Sequence, residues 1–277
     1  MTTSELPVPE PLWRRARGHA VLVAIALMCI FPIYWLLATS LRRPDDVGSL
    51  SPVPWPLSLG NYLDATEKVD VIRLLANTFA VSAVSAAGQL LVALLASYAF
   101  AMYTFRFQRL LYLAFVGTWL VPFQVTMLPN YVLLYQMGLI NNLAGVIVPT
   151  LCSALGVLML RQHMAGFPKE LVAAAKLDGR SSWSILWTVV VPNLRPALAA
   201  LSILLFINSW NEYFWPAVVL QRSNAVVQLG LRSFMGTEGN DWGPMMAVAG
   251  LACLPVFALY VVLQRHIVNA FVRSGLK

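Results

Sequence analysis

Side chains able to do covalent or acid–base chemistry are few in this chain, and their spacing assembles none of the usual catalytic sets. Cys29, Cys152 and Cys253 each sit inside an apolar run, where a small buried thiol is the expectation rather than a disulfide or a metal site. His19, His163 and His266 lie far apart and flank apolar runs, which fits surface or interface roles. No HExxH, GxSxG or catalytic carboxylate pair occurs, and no GxxxxGK[ST] loop is present to cradle a nucleotide. These absences argue against an enzyme, and any ATP-driven work must draw on an ATPase from another polypeptide. Patterned polar chemistry is concentrated in one island between long apolar segments, Phe167 to Pro196, FPKELVAAAKLDGRSSWSILWTVVVPNLRP, and its chemistry is that of docking.

Local rules predict two short helices in the island. Pro168 suits a first turn, Lys169 to Leu177 continue it through Ala173, Ala174 and Ala175, and Asp178-Gly179 supplies a stop with glycine in the left-handed position. Ser181 or Ser182 can cap the second helix, Ile185, Leu186 and Val189 stripe it, and Pro192 and Pro196 mark its expected end. The alanines leave a face shallow enough for close approach by another protein. By periodicity alone, an amphipathic pair lying on a membrane surface fits equally well.

The elements that must position this island are membrane helices. At 59% hydrophobic and 11% charged, the chain has about half the charge of an ordinary soluble domain. Six runs approach the length of about 20 apolar residues needed to cross a bilayer. They are Ala20 to Leu41, Asn77 to Tyr103, Leu110 to Pro129, Leu143 to Leu160, Ala197 to Leu220 and Pro244 to Leu263. The fold class expected is therefore all-α and polytopic, with an N-terminal segment 1–19, six transmembrane helices over 20–277 and a polar loop 161–196 between the fourth and fifth. The first run follows Arg14, Arg15 and Arg17, exceeds the length of a signal-peptide core and is read as a retained anchor.

Charge sets the expected orientation. With both termini inside, thirteen of the nineteen basic residues fall on the cytoplasmic side, and Arg42, Arg43, Lys68, Arg73, Arg222 and Arg232 fall outside. That bias satisfies the positive-inside rule and places the island in the cytoplasm. The net charge of +7 is thus a topological signal and gives no reason to invoke nucleic acid. Trp13, Tyr34, Trp35, Tyr103 and Trp242 stand where interfacial aromatic belts would be.

The spacing of the island resembles the EAA signature of permease subunits in binding-protein-dependent ABC importers: Glu-Ala-Ala, three residues, Gly, nine residues, then Ile-x-Leu-Pro. Here the register is Ala173-Ala174-Ala175, Gly179, Val189, Val191 and Pro192, with Asp178 before the glycine. Ala173 stands where the family usually has glutamate, and Glu170 lies three residues earlier on about the same helix face. TWLVPFQVTMLPNYVLL, FINSWNEYFWPAVVL and the final span are similar to the carbohydrate-uptake, maltose-type branch.

The resemblance implies a coupling helix made of Glu170, Ala173, Ala174, Ala175, Asp178, Gly179 and Pro192 that docks on an ATPase. It also implies partners: a second homologous permease, two copies of the ATPase, an extracytoplasmic solute-binding protein and membrane lipid. ATP and Mg would bind on the ATPase and no cofactor on this chain, in a bacterial or archaeal plasma membrane. The C-terminal tail of maltose-type permeases reaches the ATPase dimer; here that tail is Ser274-Gly275-Leu276-Lys277.

Prolines within spans free backbone carbonyls that only protein or a wet cavity can satisfy. Pro122, Pro129, Pro216 and Pro255 do so here, and the third and fifth runs add polar or aromatic side chains near them. The candidate solute path is accordingly Trp119, Gln124 and Tyr131 in one, and Asn208, Trp210, Asn211 and Glu212 in the other, with Thr126 and Tyr213 as companions. Belt positions and interhelical hydrogen bonds are the plainer roles for the same residues. The solute expected is a sugar or sugar-like compound, with glycerol 3-phosphate or a glycerophosphodiester as the alternative. A stand-alone ion-coupled transporter would show a repeat and more intramembrane ionisable groups than the single Glu212 counted in a span.

Overall fold

A computed structural model describes residues 12–236 and 239–275; residues 1–11 of the expected N-terminal segment and the tail residues Leu276 and Lys277 lie outside the described residues. Every regular element within them is helical. In chain order the α-helices are α1 (Leu12–Ser40), α2 (Gly60–Lys68), α3 (Val71–Met102), α4 (Gln108–Gly117), α5 (Phe123–Gln136), α6 (Leu143–Ile147) and α7 (Ala154–Ala165). They continue with α8 (Lys169–Leu177), α9 (Ser182–Ile185), α10 (Val191–Trp210), α11 (Phe214–Val219), α12 (Val227–Arg232) and α13 (Trp242–Gly275).

Four stretches are long and apolar enough to cross a membrane: Arg17–Ser40, Val71–Met102, Ser182–Trp210 and Trp242–Val262. Two further stretches are bent pairs, and the number rises to six where each pair is one span. The third run, expected as one helix from Leu110 to Pro129, is instead α4 with a 3-10 turn to Leu120, then α5, meeting at 96°. Pro122 causes the break, because a residue before proline is driven to extended backbone, and Val121 has φ −76 and ψ 118. Helix α5 also runs on to Gln136, past the expected end of the run at Pro129. The fourth run bends by 43° between Thr150 and Ala154, where Ser153 caps α7 by accepting the Gly156 N–H at 3.1 Å.

The chain forms two compact units, one of residues 1–68 and 236–250 and the other of 69–235 and 251–277. In the first, Asn61 is wholly buried and its amide donates to the carbonyls of Thr39, Ser40 and Arg42 at 3.4, 3.2 and 2.8 Å. These carbonyls lie at and just past the end of α1, where the helix no longer supplies a donor to each of them. Arg42 is only 1% exposed, donates to the Ser51 carbonyl and lies over the Trp35 ring. The negative end of α1 favours a cation there, which gives this arginine a structural role apart from topology.

The second unit holds two apolar cores. One is built by α3, α7, the island and α10 around Val157, Leu160, Ile185, Leu186, Val190 and Leu201. The other joins α5, α6 and α11 around Leu134, Val146, Trp215 and Val219. The three cysteines were expected to be buried; Cys29, Cys152 and Cys253 are free and exposed on the isolated chain.

Candidate functional site

The island folds as two short helices around a glycine turn. Gly179 has φ +74, the Arg180 N–H bonds the Ala175 carbonyl at 3.1 Å and the Gly179 N–H bonds that of Lys176 at 3.0 Å. This pair of bonds is a Schellman stop, which demands the left-handed backbone that glycine adopts without strain. Ser181, one of the two serines considered, is the cap of α9, its Oγ accepting the Ser184 N–H at 3.3 Å.

Which island residues face outward is decided by packing. Val172 and Ala175 turn into the core with Ile185 and Leu186, so Ala175 is not part of a docking surface. Glu170, Ala173 and Ala174 are exposed, and Leu177 is 90% exposed. These four, at i, i+3, i+4 and i+7, share one helix face. Leu177 was missed in the sequence because the spacing signature draws the eye to the alanines and glycine. Asp178 and Gly179 are exposed at the tip, whereas Pro192 lies 13 residues beyond, in the first turn of α10 and half-buried.

The island is also stapled inward. Tyr98 donates to the Ser182 carbonyl at 3.2 Å, Lys176 lies over the Tyr103 ring and Tyr98 packs edge-on against Tyr103. Pro192 and Pro196 do not end the second helix, as expected; α9, a π-helical turn at Leu186–Val190 and α10 run without a break to Trp210. The widened turn lies just ahead of Pro192, whose ring would otherwise crowd the Thr188 carbonyl one turn earlier. Arg161, the first residue of the expected loop 161–196, belongs to α7, where its guanidinium lies 4.0 Å from the Tyr112 ring centroid.

At the far end of this helix is a break. The fifth run was expected to be helical to Leu220 with Glu212 inside it, but α10 stops at Trp210 and α11 starts at Phe214. Pro216 explains the stop: it has no N–H for the Glu212 carbonyl, and its ring clashes with that carbonyl in a continuous helix. Glu212 therefore lies in the break between two helices. Its Oε1 accepts the N–H groups of Phe214 at 2.9 Å and Trp215 at 3.2 Å, capping α11.

Other groups hold the break in place. Gln228 of α12 donates to the Trp210 carbonyl, and Arg232 donates to the Tyr213 hydroxyl at 2.5 Å. Trp215 is buried, donates to the Gly145 carbonyl at 3.2 Å and meets Phe123 edge-on at 5.4 Å. Gln228 and Phe123 are supporting residues that no local sequence signal marks.

Phe123 follows the Val121-Pro122 break directly, so the two interruptions in the third and fifth runs come together. Trp119, Gln124, Asn208, Asn211 and Glu212 are exposed around them, and Tyr131 is half-buried. Trp210 is 3% exposed and stacked on Phe206, so in this chain it packs in the core and is not exposed beside the break. Among the described residues no group of three or more His, Cys, Asp or Glu is placed to hold a metal ion.

Comparison with known proteins follows the same outline. The arabinooligosaccharides transport system permease protein AraQ of Halalkalibacterium halodurans is 31% identical, covering 91% of this chain and 93% of its own length. The lactose transport system permease protein LacG of Rhizobium radiobacter is 30% identical over 99% of both chains. The sn-glycerol-3-phosphate transport system permease protein UgpE of Rhizobium meliloti is 30% identical, covering 93% of this chain and 95% of its own. A chain from the crystal structure of a bacterial ABC transporter involved in the import of the acidic polysaccharide alginate shares the fold, with TM-score 0.81 at 21% identity over 95% of this chain. The family pattern described as the binding-protein-dependent transport system inner membrane component matches residues 72–273. Because that match takes in both the island and the paired breaks, the chain belongs to this family of membrane-embedded transport permeases.

Proposed function

We propose that the chain forms the translocation path of an ATP-driven importer for a sugar or sugar-like solute, with residues 20–277 acting as one permease domain. The observation that carries this reading is the uninterrupted helix from Ser182 to Trp210. At 1.5 Å per residue it is a lever of about 43 Å, with the docking island at one end and the Asn211–Tyr213 break at the other. The exposed face of Glu170, Ala173, Ala174 and Leu177 sits in a cleft of the ATPase. Closure of an ATPase dimer around ATP and Mg moves the island, and the aromatic staples to α3 carry α3 along with it. The lever then shifts the break against the Pro122 bend, so that exposed Gln124, Asn208, Asn211 and Glu212 change the compartment they face.

In this reading a second homologous permease completes the path, two ATPase copies drive it and an extracytoplasmic binding protein delivers the solute. Relatives named for arabinooligosaccharides and lactose support a sugar. A relative named for glycerol 3-phosphate keeps that solute as the second reading. Screening the cognate binding protein against neutral sugars and glycerol phosphates separates them, followed by uptake into vesicles loaded with ATP. Uptake that follows an imposed ion gradient and ignores ATP would overturn the importer reading.

Orientation is part of the same proposal: both termini and the island are cytoplasmic, while the stretches from Arg42 to Arg73 and from Asn130 to Asn142 face outward. With all native cysteines replaced, a cysteine at the exposed Ser182 should react with a membrane-impermeant maleimide only after permeabilisation. Labelling in intact cells would reverse the orientation and remove the island from the ATPase side.

A further inference from the structure

The first compact unit encloses a cavity of about 380 Å³ between the Pro44 turn, α2 and the start of α13, within the usual range of small-molecule sites. Trp242 lines it and is 47% exposed, leaving indole surface to stack on a ring. Asp64 and Glu67 also line it, and neither takes part in an ion pair or hydrogen bond among the described residues. Asp241 is paired with Lys68 at 2.5 Å, so the wall keeps two uncompensated negative charges and one ammonium donor. Beneath them Asn61, wholly buried, spends its amide N–H groups on the end of α1. Its Oδ1 lies against Gly243, also in the cavity wall, and accepts no hydrogen bond. A side chain at Gly243 would collide with that oxygen.

The wall therefore presents two free carboxylates as acceptors, an exposed aromatic face and one ammonium donor. A ligand with many hydroxyl donors and an apolar ring face matches it. A phosphate is repelled by the two free carboxylates and a metal ion finds no cluster of three ligands among the described residues, while an organic cation, drawn by the same carboxylates, is the competing occupant that the experiment separates from a sugar. We propose that this cavity is a weak entry subsite for a neutral saccharide, separate from the path between the broken helices. It rests on the sugar reading and on the outward orientation proposed above.

The test uses the assembled importer in nanodiscs without binding protein, and saturation-transfer NMR with lactose and arabinotriose as probes. Sn-glycerol 3-phosphate and tetramethylammonium serve as the anionic and cationic probes. At least one sugar should bind saturably, with affinity at least tenfold weaker in Trp242→Ala and at least fivefold weaker in the Asp64→Asn/Glu67→Gln pair. Trp242→Phe, which keeps a stacking ring, should stay within threefold of wild type, and all variants should assemble as judged by gel filtration. The subsite is overturned if neither sugar binds, if the variants bind as wild type does, or if the anion or cation binds in place of sugar. Uptake by the complete system, measured in parallel, tests the transport reading by itself. Sugar uptake without Trp242-dependent binding sinks only the subsite, whereas no uptake of any sugar sinks the sugar reading whatever the NMR shows.

Discussion

Gly179→Val should abolish both uptake and the ATP hydrolysis it stimulates while leaving the permease in the membrane. At φ +74 a β-branched residue is strained, at a local cost on the order of 1–2 kcal/mol. A Cβ at this position would meet nothing within 4 Å, so the cost is one of backbone geometry and not of packing. Relaxing φ breaks the Schellman bonds from Arg180 and Gly179 and tilts α8 away from α9, which turns the Glu170–Leu177 face out of register with its cleft. Expression and assembly should approach wild type, while solute-stimulated ATP hydrolysis and uptake fall together by tenfold or more. Gly179→Asn, which tolerates the left-handed region better than other side chains, should recover a large part of both. A valine variant that expresses well and transports normally would reduce the island to a surface feature.

The second large effect belongs to Glu212. Glu212→Leu removes the acceptor that caps α11, leaving the Phe214 and Trp215 N–H groups without a partner at about 1–3 kcal/mol where they are shielded from water. The break should then lose its shape, Trp215 should shift from Phe123 and Gly145, and uptake should drop at least tenfold in a complex that still assembles. Glu212→Gln keeps an Oε1 acceptor in the same place and should retain most of the uptake. A glutamine variant as defective as the leucine variant would show that the carboxylate charge acts directly in the path. Wild-type uptake by the leucine variant would show that the capped break has no part in transport.

Much of the island is legible in the sequence. Gly179 follows a helix-favouring run and an aspartate, so its left-handed stop is a local matter, and the serine cap after it obeys the same short-range rules. The outward turn of Glu170, Ala173, Ala174 and Leu177 is only partly legible there. Three alanines look alike in sequence, and only packing of Val172 and Ala175 against Ile185 and Leu186 sets which of them is free. Trp210 shows the same limit from the other side. Its neighbours Asn208 and Asn211 are exposed, but stacking on Phe206 takes the indole into the core.

Composition and run length by themselves determined a helical membrane protein, and the island's spacing determined its family. These are properties of single segments, set by transfer of apolar residues from water and by backbone rules that reach about one turn. Tertiary structure alone decided where the spans break and what the breaks meet. A proline frees a carbonyl in any helix, but whether the chain bends, as at Pro122, stops, as before Pro216, or runs on, as through Pro192 and Pro196, depends on distant partners. Phe123 against Trp215, Gln228 on the Trp210 carbonyl and the Trp215–Gly145 bond join elements many residues apart. The apolar burial and hydrogen bonds they supply stabilise a broken helix only once the whole bundle has assembled.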